Sequence, residues 1–295
     1  MTNKNLKQFL EKKLHKSFSD FLVFEEGIDV SVQIEYEKAS VEFIDKDEEI
    51  RPLKELETIL NNHEKSIEDK KNAIIELSMS GDVKAYRIIE KYKDVCDNQL
   101  KSWAILAFQK SRAHIEHELS DDDKIYISSG LGGSGNKLRY FFVLTTNNKE
   151  KFTDFQKNLL TKEIKFSLDK NDSIAEKITF YDYFVSILCL VPLQISPDTI
   201  LSGILNETKE FGNFLSDEII ATNTEVFSEE KIIKLIDRDP EVQNELSLPE
   251  NEDINLDFFN LEGNQLDDTD DDFDDDDFDD FDDDEDDDDF FDPPF

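Results

Sequence analysis

The chain contains little cysteine, and its pattern does not suggest a disulfide-bonded scaffold. Its 295 residues include two cysteines, Cys96 and Cys189, which are far apart and lie in apolar sequence. Secreted scaffolds held by disulfides carry dense, paired cysteines. We therefore expect both thiols to be reduced and semi-buried, in a protein of a reducing compartment.

Long hydrophobic runs are also missing. The most apolar stretch, residues 184–195, contains Pro192 and is shorter than the roughly 20 apolar residues that a membrane-spanning helix needs. The first residues, MTNKNLKQFLEKKLHK, lack the apolar core and the small-residue cleavage site of a secretory signal. These features predict a cytoplasmic protein without a membrane anchor.

Positive charge is absent from the end of the chain. Arg238 is the last basic residue, and residues 239–295 hold 28 Asp or Glu, most of the formal net charge of −38. The preceding 238 residues contain 43 acidic and 33 basic side chains. Nucleic-acid binding depends on clustered Lys and Arg that neutralise phosphates. The composition therefore disfavours a general nucleic-acid binder, although a local basic face remains open.

The acidic tail becomes most extreme from residue 266, as LDDTDDDFDDDDFDDFDDDEDDDDFFDPPF. Its carboxylates repel one another within the Debye length and its few apolar groups cannot offset the ordering entropy, so we expect disorder. Phenylalanines among carboxylates suit a basic surface with small apolar pockets, because the charges steer the encounter and the rings are buried. The predicted partner-binding residues are Phe273, Phe278, Phe281, Phe290, Phe291, Pro294 and Phe295.

Two other interpretations of the tail remain open. It could be a solubilising, electrostatic bristle without a specific partner. It could also mimic nucleic acid and compete for a basic groove, either on a partner or on the basic helices of this protein itself.

The last ten residues, DDDDFFDPPF, resemble the acidic C-terminal tip of bacterial single-stranded DNA-binding proteins. Pro294 and Phe295 match that tip and residues 286–289 match its acidic run, whereas residues 290–293 depart from the usual spacing. The resemblance implies that partner proteins hold the terminal ring and carboxylate. It does not extend to the body, which shows no five-strand pattern of an OB-fold.

The body starts with two predicted local structures. Residues 4–18 repeat apolar positions at helical spacing with lysines between them, which predicts an amphipathic helix with a basic outer face. A strict apolar alternation follows, which predicts two strands joined by a turn near residues 37–39. The alternating positions are Ile28, Val30, Val32, Ile34 and Tyr36, then Val41 and Phe43.

A helical pattern follows from Pro52 to Leu119. Within it, KKNAIIELSMSGDVKAYRIIEKYKDVCDNQLKSWAILAFQKSR resembles a HEAT-like helical hairpin followed by the start of another. This resemblance covers about one and a half repeat units, fewer than the three or more that stacked solenoids usually need.

Residues 124–227 change to a strand-rich pattern with two helices, in the order ββαββαβ. That order predicts an α+β sandwich, most naturally ferredoxin-like, with helices on one face of an antiparallel sheet. The expected organisation is an N-terminal helix and β-hairpin (1–50), a HEAT-like helical segment (51–120), the sandwich domain (121–238) and the disordered acidic tail (239–295).

The most unusual local sequence in the body is GLGGSGNK, residues 130–137. A phosphate-binding P-loop would end in Gly-Lys-Ser/Thr and lead into a helix, but here LRYFFVL follows and predicts a strand. A mobile hairpin tip is the first interpretation. The alternative is a loop that contacts an anionic ligand or an acidic partner through Gly132, Gly133, Gly135, Lys137 and Arg139. The stretch GLGGSGNKLRYFFVL also resembles a family of cytoplasmic proteins of Bacteroidota, a resemblance that implies no function.

The other candidate residues are better explained by solvent exposure or by core packing than by a metal-binding or nucleic-acid-binding role. His114 and His117 are three residues apart on a helix, but the sequence offers no third metal ligand, so we expect two solvated imidazoles. Tyr140, Phe141 and Phe142 are consecutive on a strand and therefore fall on both faces, as core residues do. We predict no metal, no cofactor and no catalytic residues.

The sequence favours a non-enzymatic adaptor or regulator whose acidic tail binds a basic protein partner, within a replication, transcription or translation assembly. One alternative is a single-stranded nucleic-acid-binding protein with an autoinhibitory or recruiting tail. The other is an enzyme that acts on a phosphorylated ligand through the glycine-rich loop.

Overall fold

Helices come first along the chain and the main sheet comes later. The structure, a computed structural model, describes residues 20–46, 49–119 and 124–238. Mixed helix and sheet is confirmed; the predicted helix at residues 4–18 and the whole acidic tail lie outside the described residues. The first elements are β1 (Phe21–Val23), α1 (Val30–Asp45), α2 (Leu53–Asn61), α3 (Ile67–Met79), α4 (Val83–Val95), α5 (Asn98–Leu119) and β2 (Ile125–Ile127).

Helix α1 occupies the segment in which the sequence predicts a β-hairpin, so that prediction is wrong. Asp29 caps the helix by accepting a hydrogen bond from the Ser31 amide at 2.8 Å. The alternating positions Val30 and Val41 are 38% and 53% exposed, which shows that the alternation does not mark the buried face. The buried residues of α1 recur at helical spacing: Gln33, Tyr36 and Ser40.

The helical half has its own apolar core. Helix α3 contacts α1, α2, α4 and α5, and α2 also contacts α4. Tyr36 is fully buried, lies 5.1 Å from the ring of Trp103 and shares a 2.6 Å hydrogen bond with the Ser78 hydroxyl. At the edge of this core, Arg51 makes a two-nitrogen contact with the buried carboxylate of Glu76.

The second half is built on an antiparallel sheet. Strands β4, β5, β6 and β7 lie in the order β7-β4-β6-β5, and the short β3 extends the β7 edge of β4. Helix α6 connects β4 to β5, and α7 connects β6 to β7. Their bounds are β3 (Gly133–Ser134), β4 (Lys137–Thr146), α6 (Asp154–Lys170), β5 (Ile174–Phe180), β6 (Phe184–Pro192), α7 (Pro197–Glu210), β7 (Leu215–Thr222) and α8 (Glu229–Ile236).

Consecutive aromatics on β4 belong to two different cores, as the sequence predicts. Phe142 is fully buried in the core that the sheet shares with α6 and α7, and Tyr140 stacks on it at 5.7 Å. Phe141 faces the opposite side, where it meets Phe227 edge-on at 5.8 Å in the core that includes α8. Because successive side chains of a strand point to opposite faces of the sheet, β4 contributes buried aromatic residues to both cores.

The strand predicted at residues 124–129 is present as β2, but it does not join the main sheet. It pairs in parallel with β1, with Phe21 opposite Ile125 and Val23 opposite Ile127. About a hundred residues separate these partners in the sequence, so no local pattern could indicate the pairing. The main sheet therefore begins within the glycine-rich loop, at the short strand β3.

None of the helices within the described residues combines the length and the apolar character that crossing a membrane requires.

Candidate protein-interaction surface

The glycine-rich loop, residues 130–136, is a packed junction over most of its length. A Cβ atom at Gly130 would stand 2.0 Å from the Thr224 carbonyl oxygen, and one at Gly132 would stand 2.4 Å from that of Glu25. Gly132 also has φ of +66°, which disfavours other residues. Only Gly135, at the turn, has open space around it. The part of the loop before this turn is therefore packed against other segments, whereas the turn itself joins β3 to β4 as a hairpin.

The two cations predicted to contact an anion are already engaged. Lys137 pairs with the Asp172 carboxylate at 3.1 Å. Arg139 binds both carboxylate oxygens of Glu176, at 2.6 and 2.9 Å, and donates to the Leu131 carbonyl at 2.6 Å. The hydrogen bonds to Glu176 raise the pKa of Arg139. The guanidinium thus holds the loop against β5.

The backbone amides of Gly132 and Gly133 are engaged as well. The Gly133 amide donates to the Phe24 carbonyl at 2.9 Å, and that of Gly132 donates to Ser129 at 3.2 Å. Gly132 and Gly133 are buried, whereas Gly135 is exposed. An anion contact by the five candidate residues stays a prediction, and binding there would have to displace existing partners.

The histidine and cysteine candidates are not brought together. His114 lies 3.3 Å from Glu118 on α5, and among the described residues no group of three potential ligands could hold a metal. Cys189 is buried in the sheet, where burial raises its pKa to about 12, and half-buried Cys96 also has a pKa raised by burial. Cys96 is half-buried, as predicted, whereas Cys189 is fully buried.

A basic groove with an apolar floor lies between α2 and α4. Leu53, Val83 and Ile88 form the floor, and Val83 is 54% exposed. The rim carries four cations and one carboxylate: Lys54, Lys84, Arg87, Lys91 and Glu57. The groove has a volume of about 320 Å³.

Three of the rim cations are available to a ligand. Within the part of the chain that the structure describes, no carboxylate forms an ion pair with Lys54, Lys84 or Lys91, whereas Arg87 pairs with Glu90 at 2.7 Å. These lysine side chains are exposed. Unpaired, exposed cations beside open apolar surface can contact an acidic segment that also carries apolar side chains.

Sequence reasoning missed this groove. On α4 the apolar spacing assigns Ala85, Ile88, Ile89 and Tyr92 to the inward face. Ile88 is half-buried and lines the groove, whereas the other three are buried. The signal was present on the outer face, where the groove residues recur three or four apart: Lys84, Arg87, Ile88 and Lys91. Because the other wall comes from α2, only the packing of the two helices could show that a groove forms.

A second, smaller cleft lies where α5 meets β1 and β2 and encloses about 210 Å³. The Tyr126 hydroxyl and the Arg112 guanidinium both donate to Glu116, and the ring of Tyr126 stacks on Phe24 at 5.3 Å. Burial alone would raise the pKa of Glu116, but these two donors bring it below its ordinary value. The Arg112–Glu116 ion pair therefore lines the cleft, and within the described part of the chain the Gln109 amide oxygen beside it has no hydrogen-bond partner.

Comparisons with known proteins give no family. No protein-family model matches the chain, and no curated protein does so. Among solved structures, one match is a candidate transposase from Deinococcus radiodurans R1, with 11% identity and a TM-score of 0.28 over 36% of this chain and 91% of that one. A likeness at this level supports no argument about fold or function.

Proposed function

We propose that this protein is a non-enzymatic adaptor or regulator whose acidic, Phe-bearing tail binds a basic protein partner. The observation that carries the proposal is the tail composition: 28 acidic residues, no cations, and phenylalanines set among the carboxylates. A basic surface with apolar pockets complements both features. Replication, transcription and translation assemblies present such surfaces.

The structure gives less support to an enzyme built on the glycine-rich loop. In that alternative, Lys137 and Arg139 would bind a phosphorylated ligand, but both form ion pairs with carboxylates of their own chain. The glycines have a structural reason of their own, because neighbouring backbone leaves no room for a Cβ atom at Gly130 or Gly132. The ion pairs and the close backbone packing thus explain the presence of these cations and glycines without a phosphorylated ligand.

A nucleic-acid-binding role draws support from one feature, the four cations of the α2–α4 groove. Stacking platforms need exposed aromatics beside such cations, whereas the described residues that line this groove include no aromatic side chain. The apolar floor of the groove also offers little to a phosphate backbone. We therefore favour a protein partner.

Two finer structural assignments accompany this proposal. We propose a ferredoxin-like fold for the second half, which the βαββαβ order of β4 to β7 and the strand order β7-β4-β6-β5 support. Helices α2 to α5 resemble two stacked hairpins of HEAT type, because α2 contacts α4 and α3 contacts α5 in addition to their neighbours in sequence.

Capture of partners by three versions of the chain tests the proposed function. They are the full chain, a version cut after Gln265, and a full chain in which the six tail phenylalanines from Phe273 to Phe295 become serine. The last version keeps every charge, so it is the matched control. We expect a specific partner to be retained at moderate salt only by the unaltered chain, with identity established by mass spectrometry.

Other outcomes would contradict the proposal. If the phenylalanine variant retains the same partner, the tail acts by charge alone and the bristle interpretation holds. If the truncated chain retains it, the body provides the binding surface. If truncation instead increases oligonucleotide binding with a steep salt dependence, the nucleic-acid alternative is favoured.

A further inference from the structure

The α2–α4 groove is unusual on a body in which carboxylates outnumber cations by 43 to 33. Its lining holds four cations against the single carboxylate of Glu57. Clustering of one charge sign around a concave surface raises the local potential and attracts the opposite charge. An occupant of this groove should therefore be acidic.

The groove floor adds a second requirement. Val83 on this floor is 54% exposed. Burying apolar surface contributes about 25 cal/mol per Å². A ligand with aromatic or aliphatic side chains among its acidic groups would gain from covering this floor, whereas a phosphate backbone would gain from the rim alone.

The chain itself contains a segment with both properties. Residues 266–295 include 20 acidic residues and six phenylalanines. The 27 residues between Arg238 and this segment could span at most about 90 Å when extended. A folded body of about 240 residues has a radius of gyration near 18 Å. The covalent connection therefore does not prevent the segment from reaching any part of its own body.

We propose that the α2–α4 groove binds the acidic segment 266–295 of this chain and competes with external partners for it. The inference rests on the proposed function, because it takes the segment to be a recognition element. The rim lysines attract the carboxylates, and phenylalanine rings cover Leu53, Val83 and Ile88. A partner with a stronger basic surface would release the segment from the groove.

A labelled synthetic peptide of residues 266–295 provides the direct test. It is titrated into the full chain carrying the six phenylalanine-to-serine changes, which frees the groove. We expect saturable binding that Lys84→Glu with Lys91→Glu weakens about tenfold or more, because reversing two rim charges replaces attraction with repulsion. Circular dichroism confirms that the variants fold.

The matched control reverses two exposed lysines elsewhere, Lys162→Glu with Lys165→Glu on α6. This helix also exposes apolar rings, Phe155 at 65% and Phe166 at 57%, so it is the strongest rival surface. We expect the control to change peptide affinity less than twofold. Equal weakening by both pairs would mean diffuse attraction and would overturn the proposal, as would weakening by the control alone.

Hydrogen exchange of the full chain tests the contact without added peptide. Amides of α2 and α4 should exchange faster when the tail phenylalanines are serine, while those of α6 should not change. No difference at α2 and α4 would overturn docking within the chain. Partner capture distinguishes the failure of this proposal from the failure of the proposed function. If the chain captures a partner but the Lys84→Glu, Lys91→Glu variant binds the peptide normally, only the groove proposal is wrong. If the groove binds the peptide but the chain captures no partner, only the adaptor function is wrong.

Discussion

Glycines of the glycine-rich loop serve different purposes at neighbouring positions. Gly132 lies in the left-handed region at φ +66° and also allows the Glu25 carbonyl to approach within 2.4 Å of where a Cβ atom would be. Gly135 has a similar φ of +58° but open space around it. The first glycine is required by conformation and by packing, and the second by conformation alone.

This difference predicts unequal effects of alanine. Gly135→Ala should lower the free energy of unfolding by about 1 kcal/mol, the cost of a left-handed residue with a side chain. Gly132→Ala should lower it by about 3 kcal/mol or more, because the backbone of another segment must also move. Urea denaturation of the two variants measures both values. Equal losses would show that the loop is not packed as described.

At the level of single elements, α1 shows how tertiary contacts select between two patterns. Its sequence contains a two-residue alternation and a three-to-four-residue repeat, and the helix uses the second. Asp29 begins the helix through its bond to the Ser31 amide, and α3 and α5 cover the buried face. Hydrogen bonds from Ser31 lower the pKa of the Asp29 carboxylate, so the charged form is the one that caps.

Removal of this cap should destabilise the protein in a pH-dependent way. Asp29→Ala should cost about 1 kcal/mol near neutral pH, as N-cap replacements do. Because the folded-state pKa is lowered, this contribution is present above the unfolded pKa of about 4 and is lost as the pH falls through the folded value. Urea titrations over this pH range provide the measurement.

Asp45→Ala, at the exposed C-terminal end of the same helix, is the matched control. It removes a carboxylate that opposes the helix dipole, so it should leave stability unchanged or raise it by a few tenths of a kcal/mol. If Asp29→Ala has no larger effect on the free energy of unfolding than Asp45→Ala, the result would argue against a helix capped by Asp29.

At the scale of the whole body, two sets of apolar cores belong to one compact unit. The helical core holds Leu77 and Trp103, and a sheet core holds Leu144. The described residues of both halves belong to a single contact unit that includes these cores. Strand β1, the glycine-rich loop and Gln109, which donates to the Glu26 carbonyl at 3.1 Å, connect the two halves.

Cooperative unfolding should follow from these connections. Trp103 is the single tryptophan and reports on the helical half. Leu77→Ala and Leu144→Ala remove fully buried side chains, so each should cost about 2–5 kcal/mol. Both should shift the fluorescence-detected unfolding midpoint of Trp103 to a similar degree. If Leu144→Ala leaves that midpoint unchanged, the helical and sheet halves unfold as independent domains.

The sequence by itself determined the features that depend on composition and on local spacing. The partition of charge at Arg238, the helices between Leu53 and Leu119, and the burial of the β4 aromatics on both faces could all be predicted. Each depends on residues within a few positions of one another, where periodicity and capping are direct consequences of helix and strand geometry.

Tertiary structure decided the features that depend on residues far apart in the chain. The parallel partner of β2 and the packing of Gly130 against Thr224 could not be predicted, because nothing nearby in the sequence indicates the second partner. In α1 the sequence carries two competing patterns, and contacts with α3 and α5 decided between them. The basic groove could not be predicted for the same reason, because its walls come from two different helices. Local sequence sets what a segment can form, and contacts between distant segments select the face that is buried and the face that remains available to a partner.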